Sequence, residues 1–194
     1  YIEFTGPRKP KYIYSLRFER GKGSEHSPGI SWKNSSRAFI KFMPRDNLSF
    51  NMSYNHSTEN NWLNWLDDNL LATYERKQRT SVFELEWFKN NKHELRIKAQ
   101  LVAFTGRSPT PYLGDQKGKL TPTNISISPI TISELAFQVR YRYEIMPLSY
   151  LYLVYSKGGR VSLNDEEDDL SNLYRRPWND PEKENFTVKL RYRF

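Results

Sequence analysis

From residue 186 to the last residue, apolar and polar side chains alternate without a break. Phe186, Val188, Leu190, Tyr192 and Phe194 stand at every second position, with Thr187, Lys189, Arg191 and Arg193 between them. Period two puts successive side chains on opposite faces of an extended strand. Each face then meets a different solvent. The same rhythm recurs upstream. Leu95, Ile97, Ala99, Leu101 and Ala103 alternate with Glu94, Arg96, Lys98 and Gln100. Leu135, Phe137, Val139, Tyr141, Tyr143 and Ile145 oppose Glu134, Gln138, Arg140, Arg142 and Glu144. Leu48, Phe50, Met52 and Tyr54 oppose Ser49, Asn51 and Ser53, and Tyr12, Tyr14, Leu16 and Phe18 oppose Ser15, Arg17 and Glu19. Phe83, Leu85 and Trp87 oppose Glu84 and Glu86. None of these segments carries the i, i+3, i+4 stripe of a helix. Tyr150–Tyr155 is apolar at every position, so periodicity leaves its facing open. The chain is expected to be all-β.

Turn residues divide the strands regularly. Short turns are expected at Pro7–Pro10, Pro44–Asn47, Lys89–Lys92 and Met146–Leu148. Longer polar connections, about 21–29, 106–128 and 157–184, fall at the other end, where a tight turn near Asp67–Asn69 is the exception. Eight strands follow Pro10, and the last ends on the short-turn side. Short turns at one end and long loops at the other are the asymmetry of an antiparallel up-and-down transmembrane β-barrel. The bilayer is the cause, because a sheet in hydrocarbon must close to pair its backbone groups. Residues 1–6 read as the end of a preceding strand. The chain is expected to be the C-terminal part of a larger barrel, with a complete eight-stranded barrel as the competing reading.

Composition fits this. Mean hydropathy is −0.80, yet aromatics make up 15% of the chain. An apolar row averaged with a charged row and polar loops gives both numbers. No cysteine is present, which excludes a disulfide scaffold and a thiolate zinc site. A soluble lipocalin-like cup would invert the polarity, with apolar residues inside. Bulky ions at successive positions of one face, against faces rich in Tyr, Phe and Leu, argue for the membrane. Two aromatic girdles are expected, with Phe42, Trp87, Phe88, Tyr143, Tyr150, Tyr192 and Phe194 near the short turns and Trp32, Tyr54, Tyr74 and Phe104 toward the loops.

The candidate lumen face carries Arg17, Glu19, Lys41, Glu84, Glu86, Glu94, Arg96, Lys98, Arg140, Arg142, Glu144, Lys189, Arg191 and Arg193. Such a row can line a wet pore and bias it toward anions. It can also pair across strands and hold their register. No catalytic set, metal site or cofactor motif is expected. His26, His56 and His93 are spaced too widely to act together, and a protease-like pairing of His56 with Asp67 and Asp68 has no further support. The acidic run Asn164–Asp169 reads as a solvated loop in preference to a calcium site, since it lacks the glycine and alternating ligands of an EF-hand. Lys77, Arg79, Lys117 and Lys119 are candidates for lipopolysaccharide phosphates, which gives part of the net charge of +8 a role. Nucleic acid is discounted as a partner, because the basic residues are interleaved along strands and not gathered in one patch. The hairpin of about 55–76, with Trp62 and Trp65, is a candidate docking surface for a glycan or protein partner.

Three stretches carry a family resemblance: Phe137–Gly159 (FQVRYRYEIMPLSYLYLVYSKGG), Arg45–Asn55 (RDNLSFNMSYN) and Trp87–Phe104 (WFKNNKHELRIKAQLVAF). The chain resembles the C-terminal barrel region of Gram-negative outer-membrane proteins that carry an N-terminal module similar to a family-9 carbohydrate-binding domain. The likeness runs from about residue 12 to the last residue and includes no such module. It implies residence in the outer membrane, with lipid and lipopolysaccharide as partners. A chain ending on Phe also resembles the terminal strand read by the barrel assembly machinery, which makes Phe186, Val188, Leu190, Tyr192 and Phe194 the candidate insertion signal. Tyr150 stands where the family often has an acidic residue. The resemblance brings no catalytic motif. Two functions follow as expectations: a channel or transport component with a charged lumen, or a pore-less barrel that anchors a carbohydrate-binding or surface-assembly module. An outer-membrane enzyme is the least supported.

Overall fold

The computed structural model describes residues 1–6, 11–24, 26–167 and 169–193. The expected turn at Pro7–Pro10 and the terminal Phe194 lie outside them. The elements are β1 (Ile2–Thr5), β2 (Tyr12–Lys22), β3 (Trp32–Arg45), β4 (Leu48–Asp67), β5 (Leu70–Asn90), β6 (His93–Gly114), β7 (Leu120–Pro122), β8 (Ile130–Met146), β9 (Ser149–Leu163), α1 (Leu170–Asn179) and β10 (Lys183–Arg191).

The strands form a single antiparallel up-and-down sheet in the order β1-β2-β3-β4-β5-β6-β8-β9-β10, with the short β7 paired beside β6. Two-residue turns at 46–47, 91–92 and 147–148 join strands at one end. At the other end lie the β2–β3 loop, the segment carrying β7 and the segment carrying α1. The tight turn after Asp67 also stands at that end, and Asp68 takes a φ of 41° there. An aspartate tolerates this left-handed conformation better than most residues.

The sheet is open. The eight-stranded closure required β2 to pair with β10, but β2 is occupied by β1 and β3. The eight strands counted after residue 10 are all present, and the three-residue β7 is additional to them. Residues 2–5 form a strand, paired to residues 15–18 of β2.

Register makes the alternation of single strands a property of the whole sheet. One cross-strand row runs Tyr12, Phe42, Phe50, Leu85, Ile97, Val139, Tyr155 and Phe186, from β2 to β10, and every member is apolar. The adjacent row of the same face runs Leu48, Trp87, Leu95, Tyr141, Leu153 and Val188. Large apolar side chains on this face stand in solvent: Phe18 and Met52 are more than half exposed, as are Phe186, Val188 and Leu190. In the turn half of the sheet the other parity carries the ions, while nearer the loops Arg20, Lys77 and Arg79 share the parity of the apolar rows. These two surfaces are called the apolar and the charged face.

Strands β4, β5 and β6 have 20, 21 and 22 residues. A tilted membrane strand needs roughly 9–11. At the loop end they run past their neighbours, β4 beyond its last pair with β3 at Glu59 and β6 beyond its last pair with β8 at Gly106. Strand β6 reaches Gly114, ten residues past the alternating stretch. Pro109 and Pro111 concealed this, since proline lacks the N–H that a ladder uses.

Helix α1 was not anticipated within the long connection of 157–184. Its signal is present: Leu170, Leu173, Tyr174, Pro177 and Trp178 follow helical spacing. Asp169 caps it, accepting from the Ser171 backbone N–H at 2.9 Å. The helix lies on the loop half of the apolar face. Leu173 and Pro177 are fully buried, Trp178 stacks edge-on against Phe137 at 5.3 Å, and the Tyr174 and Ser81 hydroxyls meet at 3.1 Å. Gly159 permits the approach, because a Cβ there would stand 2.6 Å from the Pro177 carbonyl oxygen.

Candidate functional site

The charged face is the candidate site. Register gathers on it the expected residues Arg17 and Glu19 of β2, Lys41 of β3, Glu84 and Glu86 of β5, Glu94, Arg96 and Lys98 of β6, Arg140, Arg142 and Glu144 of β8, and Lys189 and Arg191 of β10. Arg193 follows β10, where its backbone N–H donates to Ser149 Oγ at 3.0 Å. The candidate insertion residues Phe186, Val188 and Leu190 are exposed on the apolar face of β10, and Tyr192 follows the strand.

The centre of the face is paired. Lys98 meets Glu84 at 2.8 Å, Arg96 meets Glu86 at 3.6 Å, and Arg142 meets Glu94 at 2.9 Å. Arg96 Nε also bonds Glu94. Three carboxylates thus face three cations from β5, β6 and β8, and cross-strand pairing is realised here. The positives without an ion pair among the described residues stand on the flanks: Arg37 and Lys41 on β3, and Arg140, Lys189 and Arg191 toward β10.

Register also settles the facing of Tyr150–Tyr155. Leu151, Leu153 and Tyr155 join the apolar face, while Tyr150, Tyr152 and Val154 join the charged one. The two tyrosines have a use there. The Arg142 guanidinium lies 5.3 Å from the Tyr150 ring centre, and that of Arg140 lies 5.7 Å from Tyr152. Cation–π attraction lets aromatic rings serve a charged surface.

The girdle assignment needs correction at this point. Trp32 and Tyr54 lie on the apolar face, as do Phe42, Trp87 and Tyr143. Tyr150 and Phe88 have the opposite parity. Tyr74 and Phe104 also belong to the charged side, where Trp62 packs on them at 6.1 and 5.2 Å and Arg76 covers Trp62. Tyr74 is 1% exposed. Trp62 therefore packs half-buried over Tyr74 within the long hairpin, whereas Trp65 is 62% exposed near its tip.

The β2–β3 loop is tied to this cluster. Glu59 Oε1 accepts from the Ser24 backbone N–H and hydroxyl, both at 2.8 Å, and from the Ser31 hydroxyl at 3.0 Å, while Arg76 lies 3.4 Å from Oε2. Gly23 leaves room for this contact, since a Cβ there would fall 2.3 Å from Glu59 Oε1 and displace the carboxyl. Burial works to raise the Glu59 pKa, but the Ser24, Ser31 and Arg76 contacts outweigh it and hold the carboxyl below its ordinary 4.5. A lowered folded pKa means the stabilisation is complete above 4.5 and is lost as pH falls through the folded value. The Ser24 amide signal in NMR is expected to shift on acidification below pH 4.5, and the shift should be absent in Glu59→Gln.

The remaining candidates separate. His56 sits mid-strand opposite Arg79, and Asp67 and Asp68 stand eleven or more residues further along the long hairpin. His93 stacks on Tyr143 at 4.8 Å and bonds the Tyr141 hydroxyl at 2.5 Å. Among the described residues, no three His, Asp or Glu side chains converge as metal ligands. In the acidic run, of which Asp168 lies outside the described residues, Glu167 meets Arg176 at 3.4 Å and Asp169 caps α1. Lys77 joins Arg20 and Arg107 around a hollow of about 420 Å³ at the loop end of the apolar face, with Glu75 in its wall. Lys117 and Lys119 are held elsewhere, around Asp115.

Compared with protein-family models and with curated proteins, the sequence finds no match.

Proposed function

We propose that this chain is the wall of an outer-membrane β-barrel of a Gram-negative bacterium, acting as a channel or transport component with a charged lumen. The observation that carries the reading is the unbroken apolar row from Tyr12 to Phe186, half-buried at the centre of the sheet, with apolar neighbours more than half exposed at Phe4 and Phe18 toward one edge and Val188 and Leu190 toward the other. Soluble monomers rarely expose an apolar patch beyond a few hundred Å². Hydrocarbon removes that cost. The opposite face, lined by paired and unpaired ions, then meets the aqueous lumen, and its flanking cations bias permeation toward anions. The resemblance of the β4, β6 and β8–β9 sequences to a family of outer-membrane barrels supports the same reading.

The partners follow from the same geometry. Arg20, Lys77 and Arg107, around the hollow at the loop end of the apolar face, are the cations assigned to lipopolysaccharide phosphates in this reading. Strand β10 has one neighbour and every residue exposed, which suits recognition by the barrel assembly machinery. A second reading, a pore-less anchor for a carbohydrate-binding or assembly module, draws on the long strands and the exposed Trp65.

Single-channel recording in planar bilayers tests the proposal. Discrete conductance steps with anion preference are expected. An inserted protein without conductance would favour the anchor, and a protein that stays soluble and folded without detergent would overturn both readings.

A further inference from the structure

Two neighbouring rows of the charged face enclose a trough of about 480 Å³ across β1–β5. One row is Glu3, Arg17, Arg37, Asn55 and Thr80, each the cross-strand partner of the next. The other is Ser15, Phe39, Ser53 and Val82. Small hydroxyl side chains in the second row leave the space, and Phe39 and Val82 give it an apolar wall.

Arg17 and Arg37 stand directly opposite each other, an arrangement that repels unless something negative answers it. Arg17 is answered: Glu19 lies 3.2 Å away and the Tyr1 ring centre 4.4 Å away. Arg37 has no ion pair among the described residues. Glu3 lies two strands off, about 10 Å by strand spacing. Beside Arg37, Asn55 Oδ1 accepts from the Ser35 hydroxyl, so the Asn55 amide group remains a donor. The Thr80 hydroxyl follows in the same row.

We propose that this trough binds a small amphipathic carboxylate. The guanidinium fork of Arg37 matches the two oxygens of a carboxylate, and Asn55 and Thr80 donate from the side. Phe39 shares a strand face with Arg37 two residues on, about 7 Å away. That is the span from a carboxylate to the far part of a ring or short chain attached to it. The volume suits a ligand of this size. Sequence alternation gave Arg17 but passed over Arg37, because Asn34-Ser35-Ser36 blurs the pattern of β3. The site lies on the charged face whatever covers the apolar one, so its test reads independently of conductance.

The test is calorimetric titration of the detergent-solubilised protein with benzoate and with benzyl alcohol, its neutral analogue. Benzoate should bind at least tenfold more tightly than benzyl alcohol. Arg37→Gln should weaken benzoate at least tenfold, and Arg37→Lys should recover part of the loss. Phe39→Ala should weaken benzoate while leaving acetate unchanged. Lys92→Gln, an equal charge change at a distant turn, should leave benzoate binding unaltered, and circular dichroism should report the same strand content in all variants. Equal binding of the neutral analogue, or undiminished benzoate binding by a folded Arg37→Gln protein, would overturn the proposal. So would the absence of benzoate binding at millimolar concentration.

Discussion

An arginine at Ile97 should destabilise the sheet in lipid vesicles by about 2–4 kcal/mol, the cost of a cation near the middle of the hydrocarbon. Ile97 stands between Leu85 and Val139 in the row that is apolar from β2 to β10. The same substitution at Gln100, three residues along β6 and on the charged face, should stay within about 0.5 kcal/mol. Gln100 is exposed and lies between Val82 and Ala136. Urea titration of vesicle-embedded protein measures both. The contrast is the content of the prediction, because it isolates facing from strand propensity. Equal costs at the two positions would remove the assignment of lipid to the apolar face.

The second large effect belongs to Glu94. It is 5% exposed and receives both Arg96 and Arg142. Glu94→Ala should cost about 2–3 kcal/mol, because two guanidinia lose the acceptor they share and the site is shut from water. Arg96 and Arg142 are 46% and 29% exposed, so both retain some hydration, which keeps the loss below that of a fully buried pair. Glu84→Ala provides the comparison. Its partner Lys98 is 58% exposed, and such pairs contribute at most about 1 kcal/mol. Urea midpoints of the two variants should therefore separate. If they coincide, the central charges lie in a wetter environment than their burial indicates.

The part of this fold legible in sequence was the part governed by one strand at a time. Glu94, Arg96 and Lys98 announce their shared side by spacing alone, and so do Leu95, Ile97 and Ala99. Tyr150–Tyr155 did not, since a segment apolar on both sides acquires its facing from Arg140 and Arg142 on the next strand. Tyr74 and Phe104 read as girdle residues because an aromatic near a loop looks the same outside a sheet or packed under Trp62. Register decides, and register is a long-range property. Helix α1 shows the opposite failure: its apolar spacing stood in plain view within a segment judged by its acidic and polar residues. Arg37 was hidden by neighbouring serines, though it now stands at the centre of a proposed site.

The strand order has a consequence of direction. Nine strands lie on the continuous path from β1 to β10, and every pairing along it is antiparallel. Eight reversals return the chain to its starting sense, so both free edges run toward the short-turn end. Those edges cannot meet as an antiparallel pair. A second copy related by rotation about the barrel axis does not help, because it presents the same sense at each seam. An uninterrupted antiparallel barrel that includes this sheet must therefore interpose an odd number of further strands between β10 and β1. The circumference of such a barrel, and with it the width of the lumen, is counted in even totals of ten or more.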